Sequence, residues 1–117
     1  MRHSKKGKKF HRTQGRRRSF LRNLANALIK SEKIETTEAR AKALRPLVER
    51  LVTLAKRQTL SSRRLLLRRV QNKDVVEKLY GELGPRYRER SGGYLRITKL
   101  AKSRKRDGSQ MARVEFV

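Results

Sequence analysis

A chain of 117 residues with 34 Lys and Arg against 10 Asp and Glu carries a formal net charge of +24. That length allows one domain burying roughly two-thirds of its unfolded surface, while the mean hydropathy of −0.90 approaches that of disordered chains. With no cysteine, disulfide scaffolds and thiolate metal sites are excluded. The longest uncharged run, Asn23 to Ile29, is far below the ~20 residues of a membrane span, and the N-terminus lacks the apolar core of a signal peptide. Self-repulsion at this charge density opposes folding, so a polyanion is expected to neutralise it, and nucleic acid in the cytoplasm is the natural one.

Residues 1–18, MRHSKKGKKFHRTQGRRR, contain nine Lys/Arg, two His and no acid. No apolar period runs through them, so residues 1–15 read as an extended basic arm ahead of a single domain at 16–117. Arg2, Lys5, Lys6, Lys8, Lys9 and Arg12, with His3 and His11, are its expected RNA contacts; the bland alternative is a solubilising tail. A first helix is predicted over Gly15 to Lys30, with Phe20, Leu21, Leu24, Ala25, Leu28 and Ile29 as its apolar face. Arg16, Arg17 and Arg18 stand at its N-terminus, where the macrodipole favours anions rather than cations. Phosphates bound there, with Arg22 one turn on, would explain the placement; the alternative is an exposed cluster whose penalty is tolerated.

Lys33 to Thr36 predicts a short strand. The longest periodic segment follows, Thr36 to Arg57, with Leu44, Leu47, Val48, Leu51, Leu54 and Ala55 on one stripe. Thr37 is its expected N-cap, Glu38 and Lys42 an i, i+4 ion pair, and Pro46 a source of a bend or a restart near Lys42 to Arg45. Leu60-Ser61-Ser62 predicts a cap for a short helix over Arg63 to Val70, with Arg63, Arg64, Arg68 and Arg69 as phosphate ligands. Asn72 caps a further helix, Lys73 to Leu83, that Gly84-Pro85 should end. Ser91-Gly92-Gly93 predicts a turn. Tyr94 to Leu100 and Gln110 to Val117 alternate as strands, joined by a long hairpin returning near Asp107-Gly108. Arg96, Lys99, Lys102, Arg104, Lys105 and Arg106 make that hairpin basic, and its tip is expected to order on a polyanion.

Catalysis finds no support. His3 and His11 both lie in the arm, the acids are scattered without a carboxylate pair or metal-ligand spacing, and no cofactor motif occurs. The aromatics form no stacking platform: Phe20, Tyr80 and Phe116 fall at core-facing positions, and Phe10, Tyr87 and Tyr94 are isolated. Charge as such leaves three readings: an RNA-binding structural protein, a nucleoid-type DNA-binding module, and a small RNA-processing enzyme whose only candidate groups are the two histidines. Separated basic patches on a folded core favour recognition of a folded RNA through its phosphates.

Several blocks occur in an order that resembles the bacterial large-subunit ribosomal protein L17 family. They are Met1-Arg2-His3, Phe20-Leu21-Arg22-Asn23, Ile34-Glu35-Thr36-Thr37, Ala41-Lys42-Ala43-Leu44-Arg45 and Leu54-Ala55-Lys56 in the first half. Glu82-Leu83-Gly84-Pro85-Arg86, Gly92-Gly93-Tyr94-Leu95-Arg96-Ile97 and Met111-Ala112-Arg113-Val114-Glu115 follow in the second. Ser4 departs from the family, where a basic residue is common. The resemblance implies an α+β fold in the order α-β-α-α-α-β-β, with helices layered on a small three-stranded mixed sheet. It further implies a structural role in the large ribosomal subunit on its rRNA, near the exit of the peptide tunnel. Protein thirty-two of that subunit is the implied neighbour. The free chain is expected to be a monomer, with one copy per ribosome, no membrane or small-molecule partner, and no metal or cofactor.

Overall fold

The computed structural model describes residues 14–117; the arm's Arg2, His3, Lys5, Lys6, Lys8, Lys9, His11 and Arg12 lie outside the described residues. Helix α1 (Gln14–Ser31) buries Ala25, Leu28 and Ile29 completely, with Leu24 partly buried against the same core. It ends at Glu32, whose φ of 65° is left-handed and whose N–H donates to the Leu28 carbonyl at 2.7 Å. A non-glycine residue is uncommon in this conformation. Here the Glu32 carboxylate is held by Arg86 at 2.5 Å and Lys78 at 3.1 Å, which ties the α1 corner to the far end of the helical layer.

Strand β1 (Lys33–Thr37) leads directly into α2 (Glu38–Ala55). The Thr37 side chain caps α2 by accepting from the Arg40 N–H, and Glu38 pairs with Lys42 at 2.9 Å. The expected stripe is the core: Leu44, Val48, Leu51, Leu54 and Ala55 are buried, joined by Ala41 and Val52, while Leu47 is half-buried. Each fully buried Leu or Val contributes about 1.5–3 kcal/mol relative to exposure. Pro46 interrupts nothing, since α2 is continuous from Glu38 to Ala55. Pro46 and Lys42 are both exposed, so the Lys42 carbonyl that loses its partner faces water.

Helix α3 (Leu60–Val70) begins at the first residue of the expected cap, three residues ahead of the expected helix start, and its N-cap is Thr59. Thr59 and Ser62 form a reciprocal capping box, and α3 closes at Gln71 with φ 53°. Asn72 caps α4 (Lys73–Lys78) by accepting from the N–H groups of Asp74 and Val75. Gly84-Pro85 does not stop this helix. A π-helical turn (Leu79–Leu83) carries it into a last short helix, α5 (Gly84–Arg86). The Gly84 N–H donates to the Leu79 carbonyl, five residues back. Continuing that pattern, the Tyr80 carbonyl is left over because Pro85 has no N–H. The Gln58 amide, anchored on the Ala55 carbonyl at 2.8 Å, donates to it at 2.7 Å. Gly84 is required at the same crossing: a Cβ there would lie 2.8 Å from the Ala55 carbonyl oxygen.

Strands β2 (Leu95–Ser103) and β3 (Gln110–Phe116) complete a sheet of order β1-β3-β2. Both pairings are antiparallel, with Ile34 and Ile97 each opposite Val114. The sheet is therefore antiparallel throughout and not mixed. β1 and β2 do run the same way, but β3 lies between them, so no parallel ladder forms. Val114 and Ala112 are fully buried beneath α2, and Tyr87, Tyr94 and Phe116 close the end of the core as a ring cluster with centroids 5.2 and 6.2 Å apart. The turn before β2 uses Gly92 and Gly93 at φ 112° and 63°, values that favour glycine.

Candidate nucleic-acid interface

Three helices bring arginines to one place. Arg18 and Arg22, one turn apart on α1, face Arg50 of α2 and Arg68 and Arg69 of α3 across a groove of about 500 Å³. Leu21, Ala25, Leu47 and Leu51 supply its apolar lining. No acid lines it. Among the described residues, none of these five arginines has an ion-pair partner; Arg22 donates only to the Ser19 hydroxyl, at 3.4 Å. Arg68 and Arg69 occupy the last turn of α3, where the helix dipole stabilises cations. The first turn of α1 contains no acid. Arg16, Arg17 and Arg18 thus sit against the dipole, an arrangement that an arriving anion relieves.

Arg50 was not among the sequence-predicted contacts, yet it is the central wall. Together with Arg69 it also lines a second groove of about 520 Å³, which includes Arg57 and the Gly92-Gly93 turn. The sequence places Arg50 merely off the apolar stripe of α2, and its arginine neighbours come from helices distant along the chain. The one available signal is its position beside Leu51 and one turn after Leu47, at the stripe's edge.

The remaining predicted contacts divide. Arg63 is engaged by α4, pairing with Glu77 at 2.6 Å and standing 5.4 Å over the Tyr80 ring; Arg64 is exposed beside it. On the hairpin, Lys99 reaches Glu38 at 3.7 Å and Lys102 reaches Glu35 at 2.8 Å. Arg104 binds Asp107 through two nitrogens, at 3.1 and 2.5 Å. The hairpin tip is therefore internally bonded: the Arg104 N–H donates to Ser109, Gly108 donates back to Arg104, and Asp107 also accepts from the Ser109 N–H. Arg96 is exposed and faces Glu115 across the ladder. Lys105 and Arg106 are exposed at the tip. Lys56, although basic, is structural, donating to the Arg90 carbonyl and the Tyr94 hydroxyl.

These pairings set the acids' titration. Hydrogen bonds from Arg86 and then Lys78 lower Glu32 to about 2. Lys102 lowers Glu35, Lys42 lowers Glu38, and Arg104 holds Asp107 well below the usual carboxylate range. A general acid needs the opposite displacement. Among the described residues no group of three or more His, Asp or Glu is placed to hold a metal ion, and no helix is long and apolar enough to cross a membrane.

The chain is similar to known proteins along its whole length. The family model described as ribosomal protein L17 matches residues 20–117. Large ribosomal subunit protein bL17 of Persephonella marina is 53% identical over 118 residues, covering 100% of this chain and 95% of that protein. Its namesake in Sulfurihydrogenibium sp. is 50% identical, covering 100% and 97%, and that of Gemmatimonas aurantiaca 49%, covering 100% and 98%. With agreement of this extent from α1 to the end of β3, the chain belongs to the ribosomal protein L17 family and is a ribosomal protein rather than an enzyme.

Proposed function

We propose that this chain is a structural constituent of the large ribosomal subunit that binds and stabilises folded large-subunit rRNA through arginine and lysine contacts to phosphate. The observation that carries this reading is the groove in which five arginines from three helices converge without an acid. Guanidinium groups without ion-pair partners in that density are held together at an electrostatic cost that phosphates remove. Arg16, Arg17, Arg64, Arg96, Lys105 and Arg106 are further phosphate contacts in this reading, as are the basic residues of the arm. The contacts go to backbone phosphate and so recognise the shape of a folded RNA more than its sequence. The same reading gives the protein large-subunit neighbours near the tunnel exit, protein thirty-two among them. Leu60 and Leu67, exposed seven residues apart on α3, are apolar surface available to a protein contact.

The test is binding of the full chain to large-subunit rRNA and to duplex DNA across a salt series, with co-sedimentation on large subunits after a high-salt wash. The expected result is retention on the subunit, a strong preference for rRNA, and a salt slope growing by about 0.7–0.9 per neutralised phosphate. Equal affinity for duplex DNA, or loss from the subunit in the wash, overturns the reading.

A further inference from the structure

We propose that the groove between α1, α2 and α3 takes a single unpaired nucleotide extruded from an RNA helix, with its base on the leucine lining and its flanking phosphates on the arginine rim. This rests on the rRNA-binding reading above. The occupant must be anionic, because the groove has five arginines and no acid. The occupant must also cover apolar surface, because Leu21 and Leu47 are only half-buried in the protein by itself.

An intact RNA helix meets the first requirement and fails the second, since its phosphates lie outermost and its bases are stacked within. An extruded nucleotide meets both in one unit, a flat base carrying a phosphate on each side. The rim's chemistry agrees. Among the described residues its cations are all arginines, and a guanidinium plane stacks on a base face while its N–H fork binds phosphate, which a lysine ammonium does not do. Among the described residues no aromatic side chain lines the groove, so stacking by these residues falls to the arginines. The groove's volume of about 500 Å³ lies within the roughly 300–1,000 Å³ of sites that enclose small ligands, a class that includes nucleosides.

The test uses the full chain and three RNA hairpins: one fully paired, one with a single bulged 2-aminopurine nucleotide, and one with an abasic residue at the bulge. The bulged hairpin should bind about tenfold tighter than the paired one, equivalent to about 1.4 kcal/mol, and its 2-aminopurine fluorescence should change on binding. The abasic hairpin should fall to the paired level. Leu47→Gln, at a half-buried position in the groove lining, should remove both the preference and the fluorescence change, with retained folding checked by its thermal transition. Arg50→Lys, which keeps the charge, should weaken the preference. Equal affinity for all three hairpins with a steep salt slope overturns the extruded-nucleotide site and leaves the rRNA reading intact; binding to none overturns both. Displacement of the bulged hairpin by oligoglutamate at equal charge concentration would assign the groove to an acidic protein segment and also overturn the proposal.

Discussion

The α1–α2–α3 groove and the β2–β3 hairpin are comparably basic in sequence, but the fold disposes of their charge in opposite ways. In the groove, helix packing brings arginines together and keeps acids out. On the hairpin, Glu35 and Glu38, which belong to β1 and α2, reach across to Lys102, Arg113 and Lys99, while Asp107 takes Arg104. The density of positive charge along a chain therefore does not measure the charge offered to a ligand. What decides is whether the topology delivers acids to the same surface. A guanidinium already bound to a carboxylate must give up that partner before it takes a phosphate, and solvent-exposed pairs of this kind are worth only about 0–1 kcal/mol. The charge of Lys99, Lys102 and Arg104 is thus discounted, whereas the groove's five arginines have no ion-pair partner among the described residues.

The strongest way to break this comparison is to remove charge from each region in turn. Arg50→Ala with Arg69→Ala should weaken binding to structured RNA about 100-fold at physiological salt and lower the salt slope by about 2. Arg104→Ala should change affinity by no more than about twofold, because it removes a hairpin cation already paired with Asp107. Filter binding over a salt series reads both, and equal losses would abolish the distinction. The next effect lies in the scaffold behind the groove. Gly84→Ala drives a Cβ to 2.8 Å from the Ala55 carbonyl oxygen of α2. It should cost about 2 kcal/mol and lower the thermal transition by roughly 8 °C, with little change in the salt slope of the folded protein. A smaller effect has the opposite sign: Glu35→Gln with Glu38→Gln releases the hairpin lysines and should raise RNA affinity about threefold with a steeper salt slope. No rise would mean that the hairpin is not part of the RNA surface.

The divide between groove and hairpin also marks what can be read from the chain. Period and capping chemistry are local, so the stripe from Leu44 to Ala55, the Thr37 and Asn72 caps and the Ala112–Val114 alternation were legible. The stop expected at Gly84-Pro85 was wrong for a non-local reason, since the side chain of Gln58 supplies the hydrogen bond that Pro85 withholds. The antiparallel sheet was hidden similarly. Nothing in β1 or β2 indicates that β3 will insert between them. For the interface, the basic residues of α1 and α3 were visible as a composition, but their meeting around Arg50 depends on how three helices cross. The pairing of Lys102 with Glu35 depends on the strand order.

The smallest expected effect concerns an acid on neither surface. Glu32 closes α1 in a left-handed conformation and is held by Arg86 and Lys78, which lower its pKa from 4.5 to about 2. A folded-state pKa below the unfolded value means that the pair stabilises the fold above about pH 4.5 and that this contribution is lost as pH falls toward 2. Because the Glu32 side chain is 37% exposed, solvent screening keeps the contribution below about 1 kcal/mol. Glu32→Gln should therefore lower the urea midpoint slightly at pH 6 and flatten its fall between pH 4.5 and 2. RNA affinity at pH 7 should be unchanged, because Glu32 lines none of the basic grooves described. If the variant bound RNA differently at neutral pH, the corner that Glu32 pins would be coupled to the groove, and α1 would transmit changes at its C-terminal end to Arg18 and Arg22.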